Sequence, residues 1–145
     1  MSKKPDIKTW KDINIGGILE AGTSEHFHTG DWRSKVPVWK KENCIHCMTC
    51  WAYCPDDSIP AVQGKNEKTG KPETQRGEYN YDFCKGCGIC VEECLVNVKA
   101  LKKMKKDNPD LKLKLWDGHE NEEFDKQASC VMVSIKEAKE KFNIK

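Results

Sequence analysis

The chain has 145 residues, 33% of them charged against 37% hydrophobic, with a formal net charge of +2 and a mean hydropathy of −0.78. That length is one domain's worth of chain with appendages, and so polar a composition leaves apolar burial thin, so a metal or a disulfide is expected to help hold the fold. Lys3, Lys4, Asp6, Lys8, Lys11 and Asp12 interrupt any apolar leader, and no apolar run approaches the roughly 18 residues that span a bilayer, which predicts a cytoplasmic protein without a membrane partner.

In chain order, residues 1–35 carry Trp10 and Trp32 on a stretch with little hydrophobic periodicity. Trp39 follows at the end of a short strand expected at 37–39, and large aromatics on such an arm are typical interface anchors. The alternative is that they fold back and cap the residues that follow. Next come Cys44, Cys47, Cys50 and Cys54, followed by Pro55, and later Cys84, Cys87, Cys90 and Cys94, each set reading C-x2-C-x2-C-x3-C at an offset of 40 residues. Trp39 and Tyr79 both stand five residues before their first cysteine, which extends the repeat and argues for a duplicated unit. Between the sets, 59–63 and 78–81 are expected to pair as a hairpin, with 64–77 as a long exposed loop that packs against nothing. Residues 98–101 are the expected antiparallel mate of 37–39. Beyond residue 104 the chain reads as a polar extension, with a turn at 107–110, a strand through Leu111, Leu113 and Leu115, and a helix over 134–142. An extension too polar to fold alone is expected to lie against another surface.

Three cysteines at every third position suit a loop wrapping one cubane. Structural zinc is the competing reading, but zinc sites pair two short knuckles across a dozen or more residues rather than crowding four cysteines together twice. Disulfides are disfavoured in a reducing cytosol. The spacing is that of two-cluster ferredoxins, in which the fourth cysteine of each run ligates the other cluster. Carried over, Cys44, Cys47, Cys50 and Cys94 hold one [4Fe–4S] cluster, and Cys84, Cys87, Cys90 and Cys54 the second. Cys130 stands apart and reads as a buried apolar thiol, and His46 as an exposed loop residue covering a cluster. Gly86 and Gly88 permit tight turns in the second loop, whereas the first loop has no glycine, so the two clusters are expected to differ in potential.

Eight thiolates add about −8 and two oxidised cores about +4, which turns the formal charge to roughly −2 and removes the apparent basicity as an argument for nucleic acid. Lys99, Lys102, Lys103, Lys105 and Lys106 form one block and Glu120, Glu122, Glu123 and Asp125 another. They read as solvated segments, with docking of an acidic partner on the lysines as the alternative. No P-loop, dinucleotide fingerprint or thiamine-binding G-D-G segment is present, and no catalytic residue is assigned.

With their surroundings, the motifs resemble the delta subunit of the pyruvate:ferredoxin oxidoreductase (pyruvate synthase) family. The resemblance is carried by Trp10-Lys11-Asp12-Ile13 with Gly16-Gly17, Thr29-Gly30-Asp31-Trp32-Arg33, Pro37-Val38, Cys50-Trp51-Ala52-Tyr53-Cys54-Pro55-Asp56 and Tyr81-Asp82-Phe83-Cys84-Lys85-Gly86-Cys87, and covers about residues 7–101. Leu95 stands where a proline usually follows the last cysteine, and residues 102–145 have no counterpart in the family pattern. The resemblance implies an α+β, pseudo-twofold bacterial dicluster ferredoxin fold at 36–101 with an insertion at 64–77, an N-terminal docking arm at 1–35 and a C-terminal extension at 102–145. It also implies a non-catalytic subunit that relays electrons from a thiamine-bound intermediate to external ferredoxin or flavodoxin. Thiamine diphosphate, magnesium and coenzyme A are then expected on larger partner subunits. The alternatives are a free-standing dicluster ferredoxin and an electron-transfer module of another iron–sulfur complex.

Overall fold

The computed structural model describes residues 9–18, 21–66 and 69–144. Parts of three expected segments lie outside the described residues: 1–8 and 19–20 of the arm, 67–68 of the loop, and 145 of the extension.

Strand β1 (Lys35–Trp39) buries Val36, Pro37 and Val38 and pairs antiparallel with β4 (Cys130–Ser134), in the register Val36 to Val133 and Trp39 to Cys130. Pro37 is tolerated because its carbonyl accepts from Tyr81 Oη at 2.9 Å. Its missing N–H would face the same way, away from β4, so no ladder bond is lost. The expected mate, 98–101, is corrected: those residues lie inside helix α3 (Leu95–Asp107). Its buried positions Asn97, Ala100 and Met104 fall at helical spacing while the lysines between them point to water. β-branched residues stand at 96 and 98, but the 3.6-residue period overrides them.

The second sheet pairs β2 (Ala61–Lys65) with β3 (Pro72–Arg76), from Ala61 to Arg76 through Lys65 to Pro72. This corrects both the expected hairpin and the expected loop. Residues 78–81 form no strand, and the stretch that was to pack against nothing instead drives Arg76, 3% exposed, into the interior.

Two short helices, α1 (Thr49–Ala52) and α2 (Ile89–Glu92), repeat at the offset of the cysteine motifs. The residue preceding each, Met48 and Gly88, is left-handed at φ 61° and 79°. So are His46 and Gly86 two positions earlier, at φ 50° and 68°. The first loop therefore makes the same turns as the second without glycine, at a strain of roughly 1 kcal/mol per residue. The second loop has no such freedom, since a Cβ on Gly86 would meet Lys35 O and one on Gly88 the Trp116 ring.

Of the extension, Leu111 and Leu113 form no strand, and Leu115 opens a 3-10 segment (Leu115–Glu120) that buries it. Helix α4 (Glu122–Gln127) is capped by the Asn121 side chain, which accepts from Phe124 N at 2.9 Å. Helix α5 (Ile135–Phe142) is capped by Ser134, which accepts from Glu137 N at 3.2 Å in an S-x-x-E box. The surface on which the extension lies is the chain's own. Phe124, fully buried, contributes roughly 1.5–3 kcal/mol, and it shares one core with Val36, Val91, Val131 and Val133. Asn97, also fully buried, joins the parts: Nδ2 donates to Val91 O at 3.1 Å and Cys130 O at 2.7 Å, and Oδ1 accepts from Ser129 N at 3.0 Å.

Candidate metal centres

The eight motif cysteines fall into two cavities. The first is lined by Cys44, Cys47, Cys50 and Cys94, with Cys90 and Cys130 also reaching its wall. The second is lined by Cys54, Cys84, Cys87 and Cys90. Each cavity is lined by the three thiols of its own loop and by the last cysteine of the other motif, and Cys90 lines both. The crossing arises because Cys54 and Cys94 follow α1 and α2, helices of one turn that carry the chain away from its own loop. Cys47 and Cys87, the middle cysteines, are exposed, whereas Cys84, Cys90 and Cys94 are buried.

Donors surround the sulfurs. His46 N lies 3.5 Å from Cys44 Sγ, Thr49 Oγ1 3.4 Å from Cys47 Sγ, and Ser58 N 3.3 Å from Cys54 Sγ. Tyr79 Oη donates to Cys90 Sγ at 3.3 Å, and Ser129 Oγ lies 2.8 Å from Cys94 Sγ. Burial raises the Cys50 pKa, Arg76 opposes that, and the Cys44, Cys47 and Cys94 thiols raise it again. Burial likewise pushes Cys90 up to about 12 despite the Tyr79 hydrogen bond, and raises Cys84 against the Gly86 N–H and Arg33. Cys94 is drawn down to about 5 by the neighbouring Cys130 thiol, with Ser129 and the Asn97 and Val96 N–H groups adding to it. Cys130, whose Sγ donates to Cys90 O at 3.3 Å, is raised by Cys94 and by burial.

These surroundings fit iron–sulfur clusters: thiols of both motifs at each cavity, N–H and O–H groups within reach of sulfur, and buried inner cysteines. Among the described residues no three His, Cys, Asp or Glu side chains close on a point as a single metal ion requires.

Three features escaped sequence reasoning. Arg76 lines the first cavity between the rings of Trp39 and Tyr79, at 4.2 Å and 4.3 Å from their centroids. His46, expected to be exposed, is half-buried against Trp39, their centroids 6.0 Å apart. Ser129, from the tail, lies against Cys94, and Cys130, expected as a buried thiol and 3% exposed, also reaches the first cavity. The Thr29-to-Arg33 segment has a visible role: Gly30 N donates to Asp82 O at 2.8 Å, and Arg33 Nη1 bonds the carbonyls of Tyr81 and Cys84, pinning the arm to the entry of the second loop.

Residues 43–98 match the 4Fe-4S dicluster domain family. Pyruvate synthase subunit PorD of Thermotoga maritima is 44% identical over 89 residues, which is 61% of this chain and 80% of the relative. The chain belongs to the PorD family of pyruvate synthase delta subunits. Within that family and its kin, ketoisovalerate oxidoreductase subunit VorD of Pyrococcus furiosus is 38% identical over 83 residues, 57% of this chain and 70% of the relative. Pyruvate-flavodoxin oxidoreductase of Klebsiella pneumoniae is 34% identical over 97 residues, 57% of this chain but 8% of that much longer protein. A PorD-family chain carries two [4Fe–4S] clusters and serves electron transfer in a 2-oxoacid:ferredoxin oxidoreductase. No helix among the described residues is long and apolar enough to cross a membrane.

Proposed function

We propose that this chain is the electron wire of a thiamine-dependent oxidoreductase acting on pyruvate, taking electrons from larger catalytic subunits and passing them to external ferredoxin or flavodoxin. Residues 36–101, with 64–77 inserted, are read as the pseudo-twofold ferredoxin domain, 1–35 as the docking arm and 102–145 as the extension. Cys44, Cys47, Cys50 and Cys94 hold the first cluster, and Cys54, Cys84, Cys87 and Cys90 the second. The observation that carries this reading is the crosswise lining of the two cavities, Cys94 with the first loop's three cysteines and Cys54 with the second loop's three.

Each cluster, when bound, accepts and releases one electron at nearly fixed geometry. The chain's own residues provide the rest. Eight thiolates anchor the clusters, the β1–β4 core excludes water from their inner faces, and the N–H and O–H donors stabilise the sulfur charge. Exposed Cys47 and Cys87 mark where each cluster comes nearest the surface, as a relay between proteins needs.

The partner reading is supported by the arm. Trp10 at 79% exposure and Ile15 at 95%, with Ile13, Ile18, Phe27 and Trp32 also open to solvent, are large apolar side chains of the kind that find cover in an assembly. The fused Klebsiella relative joins its matching segment to the rest of its enzyme covalently. Pyruvate is chosen over branched-chain oxoacids because the higher identity is to a pyruvate synthase subunit. A cytoplasmic site suits nine free thiols.

Anaerobic purification of the tagged chain from its native cell, with iron, sulfide and thiamine assayed in the eluate, tests the reading. About eight iron per chain, larger partners and thiamine diphosphate support it. Eight iron in a lone small protein overturns the subunit reading and leaves a free ferredoxin.

A further inference from the structure

Three buried polar nitrogens have no hydrogen-bond partner among the described residues: Trp39 Nε1, His46 Nδ1 and Arg76 Nη2. All three residues line the first cavity, and none lines the second. A buried donor left unpaired costs about 1–3 kcal/mol, and more if charged, so native proteins rarely leave one. Trp39 Nε1 and Arg76 Nη2 can only donate, and His46 Nδ1 donates when it carries the ring proton, so together they call for an acceptor inside the cavity.

Arg76 presses the point hardest. It is 3% exposed, and its Nε donates to Gly77 O at 3.0 Å. Its plane is fixed between the Trp39 and Tyr79 rings. Among the described residues it forms no ion pair. A guanidinium buried without an anion is strongly unfavourable, and the anionic atoms this cavity offers are cysteine sulfurs. Its charge acts on Cys50.

The second cavity is arranged otherwise. Its lysine, Lys85, is paired with Asp56, so that pair brings no net charge. Arg33 acts on Cys84 from outside the lining of this cavity, bonding the carbonyls of Tyr81 and Cys84, and Tyr79 Oη donates to Cys90. The first cavity has in addition Ser129 against Cys94.

We propose that Arg76 Nη2–H, with Trp39 Nε1–H and His46 Nδ1–H, donates to sulfurs of the cluster held by Cys44, Cys47, Cys50 and Cys94, and thereby makes it the more easily reduced of the two. This rests on the ligand sets proposed above. One electron takes a cluster with its four thiolates from about −2 to about −3. A buried cation and N–H donors stabilise the more negative state, and hydrogen bonds to sulfur raise cluster potential. A single electron given to this chain therefore resides on the first cluster, and Arg76, Trp39 and His46 are positioning residues that tune it.

The test is an EPR-monitored redox titration of the full chain, reconstituted anaerobically with iron and sulfide. Cys47→Ser and Cys87→Ser each perturb one cluster and so assign the two waves. The expected result is that the wave altered by Cys47→Ser has the higher midpoint. Arg76→Gln, with iron content retained, lowers the reduced-to-oxidised ratio at the wild-type midpoint of that wave at least tenfold, equivalent to about 59 mV for one electron, and leaves the other wave in place. Arg76→Lys recovers part of the shift. Trp39→Phe, which keeps the aromatic platform and removes one N–H, moves the same wave the same way by less, and carries the test alone should Arg76→Gln not fold. A lower wild-type midpoint for the Cys47 wave overturns the proposal, as does an equal shift of both waves or no shift in variants with full iron. If the two serine variants alter the same wave, the ligand sets themselves have failed, a result distinct from correctly assigned waves that Arg76 does not move.

Discussion

Ser129 Oγ lies 2.8 Å from Cys94 Sγ, which ties the tail to a cysteine 35 residues earlier in the chain. With Cys94 as thiolate, the serine donates, and a hydrogen bond to a charged group is worth roughly 1.5–3 kcal/mol. Ser129→Ala is expected to leave both clusters assembled but to speed loss of the Cys94-bound cluster to an iron chelator by about tenfold or more. Iron release followed by absorbance under anaerobic conditions checks this, and biphasic loss with a single accelerated phase is the expected form.

Asn97 makes three buried hydrogen bonds joining α2, α3 and the start of β4. Asn97→Leu removes the side-chain partner of two carbonyls and one N–H at a fully buried site, each costing about 1–3 kcal/mol when unsatisfied. Denaturant unfolding of the holoprotein is expected to show a loss of about 3 kcal/mol or more, whereas truncating exposed Lys102 on the same helix changes stability by less than about 0.5 kcal/mol.

Gly88 and Met48 hold equivalent left-handed positions, yet only Gly88 lies against the Trp116 ring. Gly88→Ala adds both a clash and left-handed strain, and is expected to cost more than about 2 kcal/mol and about half of the bound iron. Met48→Gly removes strain and keeps full iron. Iron content and thermal melting of the two variants provide the comparison.

The cysteine motifs carried the most information because ligation fixes spacing rigidly, and the offset of 40 residues reappears in α1 and α2 and in the turns at His46 and Gly86. The helix expected over 134–142 was legible because its signals are local, and it stands at Ile135–Phe142 behind the Ser134 cap. What misled was non-local. Val96 and Val98 have strand propensity, but the faces they meet were set by the tail. The mate of β1 lies more than 90 residues from it in sequence, as the Trp39 to Cys130 pairing shows. Arg76 stood in a polar stretch with no local signal of burial, since its burial depends on Trp39 and Tyr79 stacking on either side.

His119 bridges Asp125 at 2.7 Å and Glu137 at 3.0 Å, joining α4 to α5. Burial alone would lower its pKa, but hydrogen bonds to Glu137 and Asp125 outweigh that and raise it. Burial would raise Asp125, but Lys40 and His119 hold it down, and Lys141 and His119 hold Glu137 down. A raised histidine stabilises the fold fully below its unfolded pKa and loses that effect as pH rises through the folded one; the lowered carboxylates contribute above their unfolded pKa and fail as pH falls. Docking of α5 is therefore firmest between roughly pH 4.5 and 6.5. Amide protection in α5, the exchange rate relative to the intrinsic rate at each pH, is expected to fall above that window in the wild type and to lose this fall in His119→Gln.

The claim that the chain is an electron wire is tested most directly by rapid-freeze EPR on the intact complex, given pyruvate and coenzyme A without an external acceptor. The account expects reduced-cluster signals assigned to this chain to build up faster than steady-state turnover, and to decay when ferredoxin is added. Clusters that stay oxidised while ferredoxin is reduced at full rate would contradict it.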